Sequence, residues 1–339
     1  MISEFINQLR RHRDLSATQA AAAMEAIMSG QIPPAQIAGF LIALAMKGER
    51  PAELVGLATT MRAYAAPLAR RAGPVCDTCG TGGDGAGTVN ISTAAALVVA
   101  AAGIPVAKHG NRSVSSRCGS ADVLEALGVQ VAMSPDTAAY LLDSEGFTFL
   151  FAPTFHPAMR HAGPARRDLK VRTAFNLLGP LTNPAQPAHQ IVGVPQAELT
   201  EVMARALLAL GSTRAWVVHS ADGLDELSTS GYTKVSEVRN GTVRSFYVHP
   251  GEFGIPVSPV EALRGGDAVE NASIIRAVLG GARGAVRDVV LFNAGAALML
   301  SGAAPTVTVG IARAADAIDS GAALALLQRV ADRSHRGAA

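Results

Sequence analysis

The sequence predicts an α/β protein: a small all-helical domain, then a large domain with a mostly parallel central sheet flanked by helices. Three observations carry this expectation. Up to about Tyr64 the chain reads as helices alone; from Val75 short runs rich in Val and Ile alternate with helix-length segments; and a Gly or a capping residue stands at most of the junctions. Alternation of that kind belongs to parallel strands joined by crossover helices.

Taken in order, Ser16 with Gln19 makes a capping box ahead of an alanine-rich helix ending near Gly30, and Pro34 and Pro51 stand at first-turn positions of two more helices. The strand candidates are VCDTC, IPVAKH, FTFLF, HQIVGV and RAWVVH, which begin at Val75, Ile104, Phe147, His189 and Arg214. Gly103, Gly128, Gly146 and Gly211 sit where helices should stop, and Ser134-Pro135-Asp136 is a helix start. Asn240-Gly241 between two alternating runs signals a hairpin, expected as an antiparallel addition at one sheet edge. From about Pro259 the chain is mainly helical, with one more strand expected at Val289 to Phe292.

Composition narrows the class. The 339 residues are ample to bury a core, and 49% apolar with 17% charged residues is globular composition. A formal net charge of +2 gives no general pull toward nucleic acid or an anionic membrane. The first residues, MISEFINQLRRHRD, lack the layout of a signal peptide, and the longest apolar run, Ala94 to Pro105, is too short to span a bilayer. A soluble, cytoplasmic protein with reduced thiols is expected, since it has only three cysteines, Cys76, Cys79 and Cys118. Cys76 and Cys79 form a C-x-x-C, but no second ligand pair follows at zinc spacing, so they read as small apolar residues on a buried strand.

Four stretches carry the chemistry. GTGGDGAGTVNIST, from Gly80 to Thr93, follows a strand and precedes a helix, a setting in which free amides and the helix dipole face an anion. It matches neither the P-loop nor the dinucleotide fingerprint. KHGNRSVSSRCGSAD, from Lys108 to Asp122, brings four basic residues, Asn111 and four serines to the end of the next strand; it is a solvated basic loop or a second wall of the anion site. VVHSADGLDELS sets Asp222, Asp225 and Glu226 within five residues, either a solvated acidic turn or a magnesium site, because carboxylates facing a polyphosphate need a cation between them. HPAMRHAGPARRDLKVRTAFNLLGPLTNP holds Arg166 and Arg167 on a helical segment, suited to clamping a carboxylate, and two apolar segments suited to a pocket wall.

In this order and spacing the four stretches closely resemble the anthranilate phosphoribosyltransferase family, of the nucleoside phosphorylase and class IV phosphoribosyltransferase fold. The resemblance runs from the helical start to about residue 330. It implies a homodimer whose helical domain, residues 1–68 with a segment near 165–185, packs on an α/β domain spanning 69–335. It implies transfer of the phosphoribosyl group of 5-phosphoribosyl 1-diphosphate to anthranilate in tryptophan biosynthesis, with two magnesium ions per active site. By the same resemblance, Gly80 to Asp84, with Gly83 among them, wrap the diphosphate, and Gly80 also touches anthranilate. Thr88, Asn90, Ile91, Ser92 and Thr93 hold the sugar diphosphate, as do Lys108, His109, Gly110, Asn111, Arg112, Ser113, Val114, Ser115, Ser116 and Ser120. Asn111 reaches anthranilate and Arg166 meets its carboxylate. Ser92, Asp225 and Glu226 serve the magnesium. Three positions depart from the family pattern: Val89 where Phe is common, Ser220 where Gly is common, and Cys79 ahead of the glycines.

An aromatic amine is already neutral near pH 7, so no general base is required and none is assigned, with His109 and His156 as the available acceptors. The alternatives are a pyrimidine nucleoside phosphorylase and a non-catalytic nucleic-acid-binding relative. The second should have lost the metal carboxylates and gained strong basicity.

Overall fold

The computed structural model describes residues 1–69, 73–113 and 117–335. Four helices open the chain: α1 (Ile2–Leu9), α2 (Ala17–Met28), α3 (Pro34–Lys47) and α4 (Pro51–Ala63). The capping box forms as expected, with Gln19 N donating to Ser16 Oγ at 3.1 Å and Ser16 N to Gln19 Oε1 at 2.9 Å. Pro34 and Pro51 take first-turn positions, where a missing N–H costs nothing. Buried Glu53 ties the unit together, accepting from Leu15 N at 2.8 Å, Arg50 N at 2.8 Å and Lys47 Nζ at 3.0 Å.

The sheet follows: β1 (Cys76–Gly80), α5 (Ile91–Ala101), β2 (Val106–Gly110), α6 (Ser120–Ala126), α7 (Pro135–Glu145), β3 (Phe147–Phe151), short α8 (Ala152–Phe155), α9 (Gly163–Leu169), α10 (Ala174–Leu181), β4 (His189–Gly193), α11 (Leu199–Ala209), β5 (Arg214–Ser220), β6 (Thr233–Arg239) and β7 (Thr242–Val248). Four helices close the described chain: α12 (Ala268–Leu279), α13 (Ala285–Leu300), α14 (Val307–Asp319) and α15 (Ala322–Ser334). Seven strands lie in the order β3-β2-β1-β4-β5-β6-β7, the first five parallel and the last two antiparallel. All five parallel runs and the hairpin are where the sequence places them. Asn240 and Gly241 have φ of 51° and 72°, the pair of positive values a tight hairpin turn demands.

Both sheet faces are covered, which is why the strands are apolar on both sides. Trp216 and Val218 face a core shared with α5 and α12 to α15, whereas Ala215 and Val217 face one shared with α1 to α4 and α9 to α11. Cys76 and Cys79 divide in the same way, Cys76 into the first core and Cys79 into the second. An odd spacing on a strand sends side chains to opposite faces, so this pair cannot share a metal. Among the described residues the three cysteines form no disulfide, and all three are buried.

The strand expected at Val289 to Phe292 is instead the middle of α13, a helix of 16 residues. Every residue from Val289 to Leu300 on it is buried, and an apolar run enclosed on all sides has no period to distinguish strand from helix. This helix crosses α14 where Gly310 lies on the backbone of Gly295; a Cβ on Gly310 would stand 2.9 Å from the Gly295 carbonyl carbon. Gly310→Ala is therefore expected to cost ~1–3 kcal/mol by forcing the helices apart, read as a lower urea midpoint at unchanged m-value.

Candidate active site

In this strand order the chain leaves β1 toward β2 on one side and returns to β4 on the other, so a crevice opens at the carboxyl ends of β1 and β4. A cavity of about 310 Å³ occupies it, lined by the glycine loop, the loop after β2 and the acidic pair after β5. The two strands end in register at Gly80 and Gly193. Neither has room for a Cβ, because Asp225 fills the space: its carboxylate lies against Gly80 and its backbone against Gly193.

The glycine loop is fixed at both ends and open in the middle. Thr81 N donates to Gly193 O at 2.9 Å and Gly82 N to Asp225 Oδ2 at 2.8 Å. Further on, Gly265 N donates to Gly87 O at 2.9 Å, Val89 N to Leu263 O at 3.0 Å, and Thr88 bridges Arg264. Between these anchors, Asp84 Oδ1 accepts from Ala86 N at 3.3 Å. Among the described residues, the amides of Gly83, Asp84 and Gly85 have no hydrogen-bond partner. Free amides in a row form an anion nest. Gly83 holds a φ of 86°, which a residue with a side chain rarely adopts.

At the start of α5, Asn90 Nδ2 donates to Cys118 O at 3.2 Å, and Asn90 Oδ1 accepts from Asn271 Nδ2 at 3.0 Å. Ile91 is buried, Ser92 N donates to Glu226 Oε1 at 3.1 Å, and the buried Thr93 hydroxyl has no partner among the described residues. Lys108, only 1% exposed, donates to Thr78 O at 2.5 Å and to Ser92 Oγ at 3.4 Å. Gly83 and Asp84 of the nest thus line the same cleft as Ser92 and Lys108.

The loop after β2 contributes unequally. Gly110, Asn111, Ser113 and Ser120 line the cleft, with Ser120 Oγ 3.3 Å from Asn111 O. Arg112 also lines it, but its guanidinium is engaged by Glu125 at 2.6 and 2.7 Å and Asp122 at 3.0 Å. Val114, Ser115 and Ser116, expected at the sugar diphosphate, lie outside the described residues.

The acidic loop resolves into two roles. Asp222 is enclosed by hydroxyls, accepting from Ser220, from Ser228 at 2.5 Å and from Ser230, besides Leu224 N at 3.1 Å. Ser220, one of the three departures from the family pattern, is therefore a donor to Asp222 within this turn. Asp225 and Glu226 are 8% exposed and enter the cleft. Burial pushes Asp225 up to about 6, with the negative Asp84 adding to it, and Glu226 up to about 8, with Asp225 adding to it. Among the described residues neither carboxylate forms an ion pair, so the two fit a hard divalent ion, and the Ser92 hydroxyl is close by. Among the same residues, no group of three or more His, Cys, Asp or Glu side chains is placed to hold a metal ion.

Residues 72–324 match the model of the glycosyl transferase family, a/b domain, and residues 3–65 match that family's helical bundle domain. Over 327 residues, 96% of each chain, the sequence is 53% identical to the anthranilate phosphoribosyltransferase of Solibacter usitatus (strain Ellin6076). The chain belongs to the anthranilate phosphoribosyltransferase family. The solved anthranilate phosphoribosyltransferase of Thermus thermophilus is 44% identical and superposes with a TM-score of 0.92, covering 97% of this chain and 99% of that one. That of Saccharomyces cerevisiae, in complex with PRPP and Mg, is 28% identical with a TM-score of 0.90, over 98% of this chain and 97% of that one. The names favour this family over the phosphorylase and nucleic-acid-binding alternatives.

The cleft also holds residues with no role assigned from the sequence, among them Arg172, Asn176, Gly266 and Asn271. Arg172, six positions beyond Arg166, lines the cleft, and Asn271 reaches it from α12. The first was signalled by a cation just before the Thr173 helix start; the second had no local signal, since α12 is far along the chain. Arg166 itself is half-buried, with its guanidinium carbon 5.3 Å from the centroid of the Phe175 ring. Among the described residues, no helix is long and apolar enough to cross a membrane.

Of the two buried histidines, His109 has its tautomer set by a backbone carbonyl. His109 Nδ1 lies 3.0 Å from Gly179 O, an acceptor, so Nδ1 carries the proton, and Nε2, with no partner among the described residues, is bare. Burial pushes His109 down to about 3, aided by His156 with its ring 5.1 Å away, and pushes His156 down to about 4. Both are neutral at pH 7 and weak as bases. Their folded values lie below the unfolded value, so the stability they contribute is full above about 6.5 and is lost as pH falls. Relative to wild type, His156→Gln should gain ~2 kcal/mol between pH 6.5 and 5 in urea unfolding.

Proposed function

We propose that the protein joins anthranilate to 5-phosphoribosyl 1-diphosphate, giving N-(5-phosphoribosyl)anthranilate and diphosphate, in tryptophan biosynthesis. The observation that carries this reading is the meeting of a free-amide nest, Lys108 and the buried Asp225–Glu226 pair at the sheet's switch point. The bond from the anomeric carbon to the diphosphate oxygen breaks, its electron pair leaving with diphosphate, while the amine lone pair forms the new C–N bond and the resulting cationic nitrogen gives one proton to solvent water. Positive charge grows on the ribose as negative charge grows on the leaving group.

On this reading the amides of Gly83 to Gly85 and buried Lys108 hold the departing charge. Asn90, stationed by Asn271 and Cys118, together with Thr88, Ser92, Thr93 and Ser120, orients the sugar diphosphate. Magnesium, two ions per site, would be held by Asp225, Glu226 and Ser92, and when bound it supplies charge neutralisation at the diphosphate. Arg166, on α9, receives the anthranilate carboxylate. Bare His109 Nε2 accepts at most a hydrogen bond from the amine, and positioning supplies the rest. Residues 1–68 with 165–185 form the helical side of the site and 69–335 the phosphate side; the protein works as a cytoplasmic homodimer.

Loss of anthranilate fluorescence that requires both the sugar diphosphate and magnesium tests the reaction; loss with either omitted would overturn it. Arg166→Ala is expected to raise the KM for anthranilate at least ~10-fold and to leave that for the sugar diphosphate nearly unchanged. Asp225→Asn with Glu226→Gln should lower kcat/KM by ~10²-fold or more, and EDTA should abolish wild-type turnover until magnesium is restored.

A further inference from the structure

Between α9 and α10 the chain is pinned on either side of Arg172. Lys170 caps α9 in the left-handed conformation at φ 52°, and Thr173 N is held by Asn176 Oδ1 at 2.9 Å ahead of α10. From this fixed base the Arg172 side chain crosses to the glycine loop. Its Nη2 donates to Thr81 O at 3.3 Å and approaches Thr81 Oγ1 at 3.5 Å, and its Nη1 lies against Gly83, which has no room for a Cβ on that side. These bonds are long. Asp225 and Asp84 act on the guanidinium electrostatically, yet among the described residues Arg172 forms no ion pair.

The other arginines that line this cleft face carboxylates: Arg112 is engaged by Glu125 and Asp122, and Arg117 lies 3.9 Å from Glu270. Arg172 instead lies against Gly83, the first of the three residues whose amides have no partner among the described residues. A planar guanidinium next to such a nest presents a fork of donors that matches two phosphate oxygens, which an ammonium cannot reproduce. Resting on the reading of the cleft as a sugar diphosphate site, we propose that Arg172 binds the diphosphate leaving group, giving up its long bonds to Thr81 for phosphate oxygens. Because it arrives from the helical segment that carries Arg166, it links the segment for anthranilate to the loop for diphosphate.

The test is calorimetric titration of inorganic diphosphate with magnesium into wild type, Arg172→Lys and Arg172→Gln, with steady-state KM values for both substrates. Arg172→Gln is expected to weaken diphosphate binding about 10- to 100-fold and to raise the KM for the sugar diphosphate similarly, while the KM for anthranilate moves far less. Arg172→Lys should restore part of the affinity. Undiminished diphosphate binding by Arg172→Gln would overturn the proposal, as would an equal loss for both substrates with a lowered melting temperature. Failure of wild type to bind diphosphate would instead overturn the reading of the cleft itself.

Discussion

Everything at this site depends on how closely Asp225 approaches the ends of two strands. β1 and β4 finish in register at Gly80 and Gly193, and the space their missing side chains leave is filled by one residue of the acidic loop. From there Asp225 holds Gly82 N and fixes the near end of the glycine loop. A side chain on either glycine would push this carboxylate out and take the loop with it. The phosphate-facing amides and the metal-facing carboxylate are therefore one packed unit.

That unit is electrostatically unfinished by its own means. Asp225 and Glu226 repel each other in a buried setting, Lys108 answers only in part, and three amides and a hydroxyl are left without partners among the described residues. Such a cleft is costly to keep unless charge of both signs arrives. A cation at the carboxylates together with an anion at the amides satisfies both halves at once, which is what a magnesium-bound diphosphate provides.

The sequence made the scaffold legible because its signals are local. Ser16 with Gln19, Ser134 with Thr137, and Asn240-Gly241 each specify a cap or turn through neighbours a few residues away. Strands from VCDTC to RAWVVH were readable as short apolar runs bounded by such signals. Val289 to Phe292 was not, since burial on every side of α13 erases periodicity. In the site, the loops were visible from their composition, but not which polar residues turn inward. Asp222 looked like a third metal carboxylate and is a turn fastener held by three serines. The protonation of His109 depends on a partner 70 residues away and the placing of Asn271 on one 181 residues away, and no local pattern encodes either.

The reversal of strand order has a kinetic side. The cleft draws on the end of β1 and the loop after it, the loop after β2, the segment before α10, the acidic loop and α12, so its residues run from Cys79 to Asn271. Nearly every contact that builds it joins distant parts of the chain, and distant contacts close late, after the entropy of long loops has been overcome. Until those distant pairings form, the residues of the cleft are not assembled. Affinity for a polyphosphate arises only with the finished sheet, so the chain cannot sequester its substrate before it is able to transform it.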